Sequence, residues 1–290
     1  MRYFLLAVAM AGLAIPACKR SMAPLSEPRD FTKLTWQADT LFEPEMHDSQ
    51  VMMESIWGSS TQDIYTVGHS SGLSDMWYYD GTSWQLVDLY SYGITIGLDG
   101  EVFGFSADNV WAVGNKPMRN SNPPPDYVFY SVIIHYDGTK WEYSLKDTSG
   151  RMLNSVWGAA PDDIWAGGEY HTLYHYDGVQ WKREYLYYDF PPNDHISITF
   201  IGGRPGLGAY IIVLLYPATE DQSYRFYLFK YVNTSWRLVP GVNTYRTLAG
   251  IWASPSGKAY FGGYGLNKLD GGEFKNIYGP ISVTSVYGLD

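Results

Sequence analysis

A repeated pattern constrains this 290-residue chain more than any other feature. Ser55-Ile56-Trp57-Gly58 is followed by Asp63-Ile64-Tyr65-Thr66-Val67-Gly68 and then by Tyr79-Asp80-Gly81-Thr82-Ser83-Trp84. The same order returns as Val102-Phe103-Gly104, Asn109-Val110-Trp111-Ala112-Val113-Gly114 and Tyr136-Asp137-Gly138-Thr139-Lys140-Trp141. A third copy runs from Val156-Trp157-Gly158 through Asp163-Ile164-Trp165-Ala166-Gly167-Gly168 to Tyr176-Asp177-Gly178-Val179-Gln180-Trp181. The fourth is worn, keeping Ile201-Gly202 and Tyr231-Val232-Asn233-Thr234-Ser235-Trp236. The fifth is Ile251-Trp252-Ala253, Ala259-Tyr260-Phe261-Gly262-Gly263 and Leu269-Asp270-Gly271-Gly272-Glu273-Phe274. Ser285-Val286-Tyr287-Gly288 opens a sixth. From first to second aromatic is eight residues in four copies: 57 to 65, 103 to 111, 157 to 165 and 252 to 260. Such self-similarity marks a repeat architecture.

Each copy reads as four strands. Short alternating runs of Val, Ile, Trp and Tyr are strand signals. Asp-Gly between such runs predicts a tight primed turn, because Gly tolerates positive φ. Strand one carries Trp57 and its equivalents, strand two ends at Gly68, strand three ends at Tyr79, and strand four starts near Trp84. Four short strands in roughly 35–55 residues make a propeller blade. No apolar period of 3.6 is sustained, which disfavours helical solenoids. The expected fold is an all-β propeller of four-stranded blades.

The pattern (aromatic-Gly, then Asp-Ile/Val-Trp-Ala-Val-Gly, then His-Tyr-Asp-Gly-Thr-x-Trp) resembles the propeller repeat of secreted bacterial proteins and lipoproteins. The resemblance covers about residues 31–290. It implies architecture and says little about activity. More loosely, the chain resembles the propellers of photosystem assembly factors and of sensor-kinase ectodomains.

Trp36 lies 21 residues before Trp57, which predicts Phe31–Asp39 as an isolated strand four available to close the ring. Closure removes open sheet edges. The sixth copy supplies only strand one, over Thr284–Gly288, so the sequence reads as incomplete at its C-terminus, with at least six blades in the intact ring. The alternative is a five-blade ring with surplus strands.

Residues 1–17 read as a lipoprotein signal peptide. Arg2 is followed by an uncharged apolar stretch from Tyr3 to Ile15, too short to span a bilayer. Ile15-Pro16-Ala17-Cys18 resembles the bacterial lipoprotein cleavage box, which implies cleavage before Cys18 and lipidation of that residue. Residues 18–30, with two Pro and mixed charges, read as a tether. The location expected is the bacterial cell envelope, at the outer membrane or cell surface more than the inner membrane, with the membrane reached through Cys18.

Composition excludes several classes. Lys plus Arg is 20 against 30 Asp plus Glu, a balance of −10 that argues against nucleic acid. One Cys excludes an internal disulfide and a cysteine zinc cage. His135 and His175 occupy equivalent repeat positions, which points to structure. His171 and His175 are four apart in a strand region, which does not make the one-face pair of a helical zinc site. No nucleophile triad, phosphate loop or calcium loop is present, so no cofactor, metal or catalytic residue is expected.

The recurring Trp57, Trp111, Trp157, Trp165 and Trp252 read as packing between blades. Trp84, Trp141, Trp181 and Trp236 read as locks on outer strands, and Asp80, Asp137, Asp177 and Asp270 as turn formers. Loops two-to-three and four-to-one share one face of such a fold and hold nearly all the length variation. They include Leu86–Gly100, Asn115–Ser131, Tyr185–His195 and Tyr216–Tyr224. Long loops on a rigid scaffold carry function. The candidate ligand-binding residues are Tyr127, Tyr130, Tyr185, Tyr187, Tyr188 and Phe190, since Tyr gives contact area at low entropy cost. The expectation is a non-enzymatic, lipid-anchored binding or scaffold module for a protein or glycan. The alternative is a glycan-cleaving enzyme with carboxylates on the long-loop face.

Overall fold

The structure is a computed structural model that describes residues 41, 51–70, 75–119, 127–191, 194–219, 223–244 and 246–287. The signal segment, Cys18, the tether and Phe31–Asp39 lie outside the described residues.

The chain forms successive antiparallel sheets, each in sequence order. The first holds β1 (Val51–Ser60), β2 (Asp63–Ser70), β3 (Met76–Tyr79) and β4 (Trp84–Leu86). The second holds β5 (Val102–Ser106), β6 (Asn109–Arg119), β7 (Tyr127–Tyr136) and β8 (Trp141–Asp147). The third holds β9 (Leu153–Ala160), β10 (Asp163–Gly168), β11 (Leu173–Tyr176) and β12 (Trp181–Arg183). The fourth holds β13 (His195–Arg204), β14 (Gly208–Tyr216), β15 (Arg225–Val232) and β16 (Ser235–Thr244). The fifth holds β17 (Leu248–Ala253), β18 (Ala259–Asp270) and β19 (Glu273–Val283).

The fifth sheet conceals a fourth strand. Lys258 Nζ, just before β18, lies 3.8 Å from Asp270 Oδ2 at its end. Straight extended chain would hold those residues about 40 Å apart. Asn267 Nδ2 also donates to the Gly265 carbonyl at 3.3 Å. β18 therefore doubles back at Gly263 and Gly265, whose φ values are 119° and 81°. Its halves serve as strands two and three, and β19 serves as strand four. The result is five four-stranded blades in a ring. First strands β1, β5, β9, β13 and β17 touch in succession.

The motif explains the packing. In blades one to three the strand-two aromatic enters the next blade. Tyr65 meets Trp141 with centroids 5.7 Å apart. Trp111 meets Trp181 at 5.8 Å, and Trp165 meets Trp236 at 5.0 Å. Each ring buries about 150–250 Å² in such a seam, worth about 4–6 kcal/mol before entropy is counted. A polar residue opening strand two holds the aromatic's orientation. Asn109 Oδ1 accepts from Trp111 Nε1 at 2.7 Å, and Asp163 Oδ1 accepts from Trp165 Nε1 at 3.1 Å. His135 and His175 lie 3.0 and 2.8 Å from these same oxygens and stack on those indoles. That is the structural place their repeat positions predicted.

The motif glycine has a steric cause. A Cβ at Gly68, Gly114 or Gly168 would collide with the carbonyl oxygen of Met52, Gly97 or Met152, in the backbone that enters strand one.

Two local expectations are corrected. The Asp-Gly turns of blades one to three are four-residue loops, because Tyr79, Tyr136 and Tyr176 pair with Trp84, Trp141 and Trp181. The Asp carboxylate closes each loop, as Asp80 Oδ1 does by accepting from Thr82 N at 2.8 Å and Ser83 N at 2.9 Å. Two-residue turns with both φ values positive occur instead at Asn233-Thr234 and Gly271-Gly272. The expected loop Asn115–Ser131 is largely a hairpin, with Asn115 paired to Ser131 and Arg119 to Tyr127. The β6–β7 ladder thus continues beyond the motif without a break in register.

Candidate functional site

In a four-stranded meander, the four-to-one and two-to-three connections emerge on the same face. Tyr185–Phe190 follows β12 there. Leu186 is 8% exposed and packs into the seam of blades three and four, while Tyr185 and Tyr187 on either side are 59% and 85% exposed. Tyr188, 38% exposed, and Phe190, half-buried, lean against blade four. Tyr188 meets Phe229 at 5.6 Å, and Phe190 meets Tyr227 at 5.6 Å. Of the four aromatics predicted here, two form a fixed outward pair with centroids 6.4 Å apart and two pin the loop to blade four.

Tyr127 and Tyr130 are strand residues of β7 rather than loop residues. Tyr127 is exposed near the hairpin tip. Tyr130 packs against the cluster between blades one and two. Among the described residues, no ring contact joins this pair to Tyr185 and Tyr187.

A second feature lies on the axis. A cavity of about 560 Å³ is walled by Glu54, Ser55 and Ile56 of β1, Asp99–Glu101 before β5, Asn154 of β9, Thr199 and Phe200 of β13, and Thr284 and Ser285 after β19. Asp99 and Gly100 belong to a four-to-one connection, so the cavity borders the long-loop face.

Four of its wall residues, Ser55, Glu101, Thr199 and Ser285, share a repeat position whose other members, Ser155 and Gly250, lie outside the wall. Ser55, Glu101, Ser155, Thr199, Gly250 and Ser285 each stand two residues before a first aromatic or its replacement. Several of them clasp the next blade. Val102 N donates to Ser55 Oγ at 3.1 Å, and Ile201 N donates to Ser155 Oγ at 2.8 Å. At the seam of blades two and three a carboxyl group replaces the hydroxyl. Glu101 Oε2 accepts from Val156 N at 3.1 Å and from the Ser155 hydroxyl. Glu101 is partly exposed as a residue, but its carboxyl group is enclosed. Burial pushes its pKa up to about 7, against the opposing pull of those two hydrogen bonds.

Glu54, Asp99 and Glu101 were not singled out from the sequence. For Glu101 a signal exists: it is the one acid at a repeat position otherwise occupied by Ser, Thr or Gly. Asp99 has a structural partner, accepting from Asn115 Nδ2 at 3.0 Å. Among the described residues, no group of three or more His, Cys, Asp or Glu is arranged to hold a metal ion.

No protein-family model and no curated protein sequence matches the chain. Solved structures share its fold at low identity. YCF48 bound to D1 peptide is 12% identical with a TM-score of 0.36, over 79% of this chain and 83% of that one. The extracellular domain of the putative one component system BT4673 from B. thetaiotaomicron is 14% identical with a TM-score of 0.45. That match covers 80% of this chain and 35% of the domain, so the chain spans about a third of its length. An exo-1,5-alpha-L-arabinanase from a bovine ruminal metagenomic library is 11% identical with a TM-score of 0.36, over 74% of this chain and 92% of the enzyme. The blades described above, and not these likenesses, make the chain a β-propeller.

Proposed function

We propose that the protein is an extracytoplasmic binding module, anchored by lipid on Cys18, that presents an aromatic surface to a protein or glycan and performs no catalysis. The supporting observation is the outward pair Tyr185 and Tyr187, held in place by buried Leu186 and by Tyr188 and Phe190 packed on blade four. Exposed rings with a fixed backbone lose little entropy on binding. The signal segment and its cleavage box support the location. In this reading the sixth repeat copy begins at Thr284, although Thr284 to Tyr287 lie outside the named strands. Supporting that, Ser285 lies in the cavity wall and its Cα is 3.0 Å from where a Cβ of Gly250 would stand.

The test uses the chain without residues 1–17 on glycan and protein arrays, followed by titration of the best hit. Tyr185→Ala with Tyr187→Ala should weaken binding at least about tenfold, or about 1.4 kcal/mol, with the melting temperature unchanged. Undiminished binding would refute the surface. Release of reducing ends from a glycan hit would refute the non-enzymatic reading.

A further inference from the structure

The seam of blades one and two departs from the repeat at one ring. At the next two seams the strand-two aromatic is a Trp, held by a polar residue two positions earlier and stacked on a His across the ladder. Those sets are Asn109, Trp111 and His135, then Asp163, Trp165 and His175. Blade one has Asp63, Tyr65 and Tyr78 at the same positions, with Tyr65 paired to Tyr78. A phenol is smaller than an indole and offers Asp63 no ring N–H. Beside it lies a cavity of about 280 Å³, where Tyr65, Tyr78, Tyr92, Tyr136 and Trp141 surround the buried Asp63. Tyr65 stands 4.8 Å from Tyr78, 6.4 Å from Tyr136 and 5.7 Å from Trp141 between ring centroids.

Among the described residues, no Lys, Arg or His lines this cavity. Asp63 already accepts from the Ser59 hydroxyl and the Tyr78 phenol. Burial, and after it the facing Asp63 carboxylate, holds the Tyr65 and Tyr78 phenols above their ordinary value of 10.0, so both rings stay neutral. Aromatic faces attract a cation within about 6 Å, most strongly where water is excluded. A primary amine would need acceptors for three N–H groups, and the carboxylate here is engaged. A quaternary ammonium brings no N–H donor, so enclosing it leaves no hydrogen bond unmade. From the missing indole, the converging ring faces and the uncompensated charge behind them, we infer that this pocket binds a trimethylammonium group. The rings contact its methyls, and Asp63 contributes its field rather than a hydrogen bond. The group is supplied by a free choline-type solute or by a phosphocholine head group. The site lies apart from the Tyr185–Tyr187 surface and stands or falls independently of it.

Isothermal titration calorimetry on the chain without residues 1–17 tests this with choline and with 3,3-dimethyl-1-butanol, its uncharged isostere. Saturable one-to-one binding of choline is expected, with the isostere at least tenfold weaker. Flotation with phosphatidylcholine vesicles separates the sources: capture identifies the head group, and choline binding without capture identifies the free solute. Tyr65→Trp restores the ring that blades two and three carry and should abolish binding. Asp63→Asn matches Asn109 of blade two, keeps an acceptor for Ser59 and Tyr78, and should weaken choline at least tenfold. Glu273→Gln, the same charge change on exposed β19, should leave affinity unchanged. Thermal melting verifies the fold of each variant. Failure of both choline and the vesicles to bind, equal affinity for the isostere, undiminished binding in both pocket variants, or an equal loss in Glu273→Gln would overturn the assignment.

Discussion

Blade one and blade two are written in the same code but buried differently. Ile56 on β1 is 66% exposed, while its repeat equivalents Val102 and Val156 are 3% and 1% exposed. Met52 on the same face of β1 is also exposed. The four hydrophobic clusters occupy the seams between successive blades, one to two through four to five. A blade of this type therefore makes no complete core of its own. It carries half of two cores, and a neighbour supplies each remaining half. The repeat fixes which residues are apolar, and the neighbour decides whether they are buried.

The strongest way to break this comparison is to remove a wedge from a complete seam. Trp165→Ala, which strips the indole from the cluster of blades three and four, should cost about 3–5 kcal/mol. Urea unfolding measures it, and a cost below about 1 kcal/mol would mean that the seams are not the source of stability.

The seam closed by a carboxyl group differs from those closed by hydroxyls in its pH response. Glu101 titrates near 7 when folded, above its ordinary value of 4.5. Its neutral form is thus favoured in the folded state. Stability should fall as pH rises from the ordinary value through about 7 and stay low above it. Glu101→Gln should remove that slope and raise stability at pH 8, by about 3 kcal/mol at most. Unfolding curves for both proteins at pH 5 and pH 8 measure the effect, and parallel pH profiles would contradict the enclosed carboxyl.

A smaller contrast lies in the turns. Blade five uses Gly271-Gly272 where blade four uses Asn233-Thr234, with Thr234 at φ 66°. A β-branched residue in that region is strained by about 1–2 kcal/mol. Thr234→Gly should raise stability by about 1 kcal/mol, partly offset by added chain entropy. A fall in melting temperature would show that Thr234 makes compensating contacts.

The smallest effect is expected at the exposed equivalent of a core position. Ile56→Ser should change stability by less than about 0.5 kcal/mol, whereas Val102→Ser should cost several times that. Equal costs would show that β1 is covered in solution.

Much of the fold was legible because its signals are local. Alternation, the eight-residue aromatic spacing and the Tyr-Asp-Gly-x-x-Trp run gave the strands of blades one to three, but β2 runs on to Ser70 and β6 to Arg119, past the motif glycines. The doubling of β18 was partly legible, since Leu269-Asp270-Gly271-Gly272 kept the turn motif. The long-loop face was read less well. Tyr187 and Tyr188 are adjacent in sequence, yet one points to solvent and the other meets Phe229, about forty residues away. Nothing local separates them. Glu101 was visible as an acid among serines, but its meaning depends on Ser155 and Val156 in the next blade.

The sequence alone determined the repeat, the four-stranded blade and the recurring glycine near the end of strand two, because these follow from periodicity and local turn and strand signals. Tertiary structure alone decided which tyrosines are free, which carboxyl is enclosed, and that Glu54 of β1 shares one cavity with Asp99 and Glu101 from the segment before β5. Those properties depend on what a neighbouring blade removes from water, and neighbours in space are not neighbours in the chain.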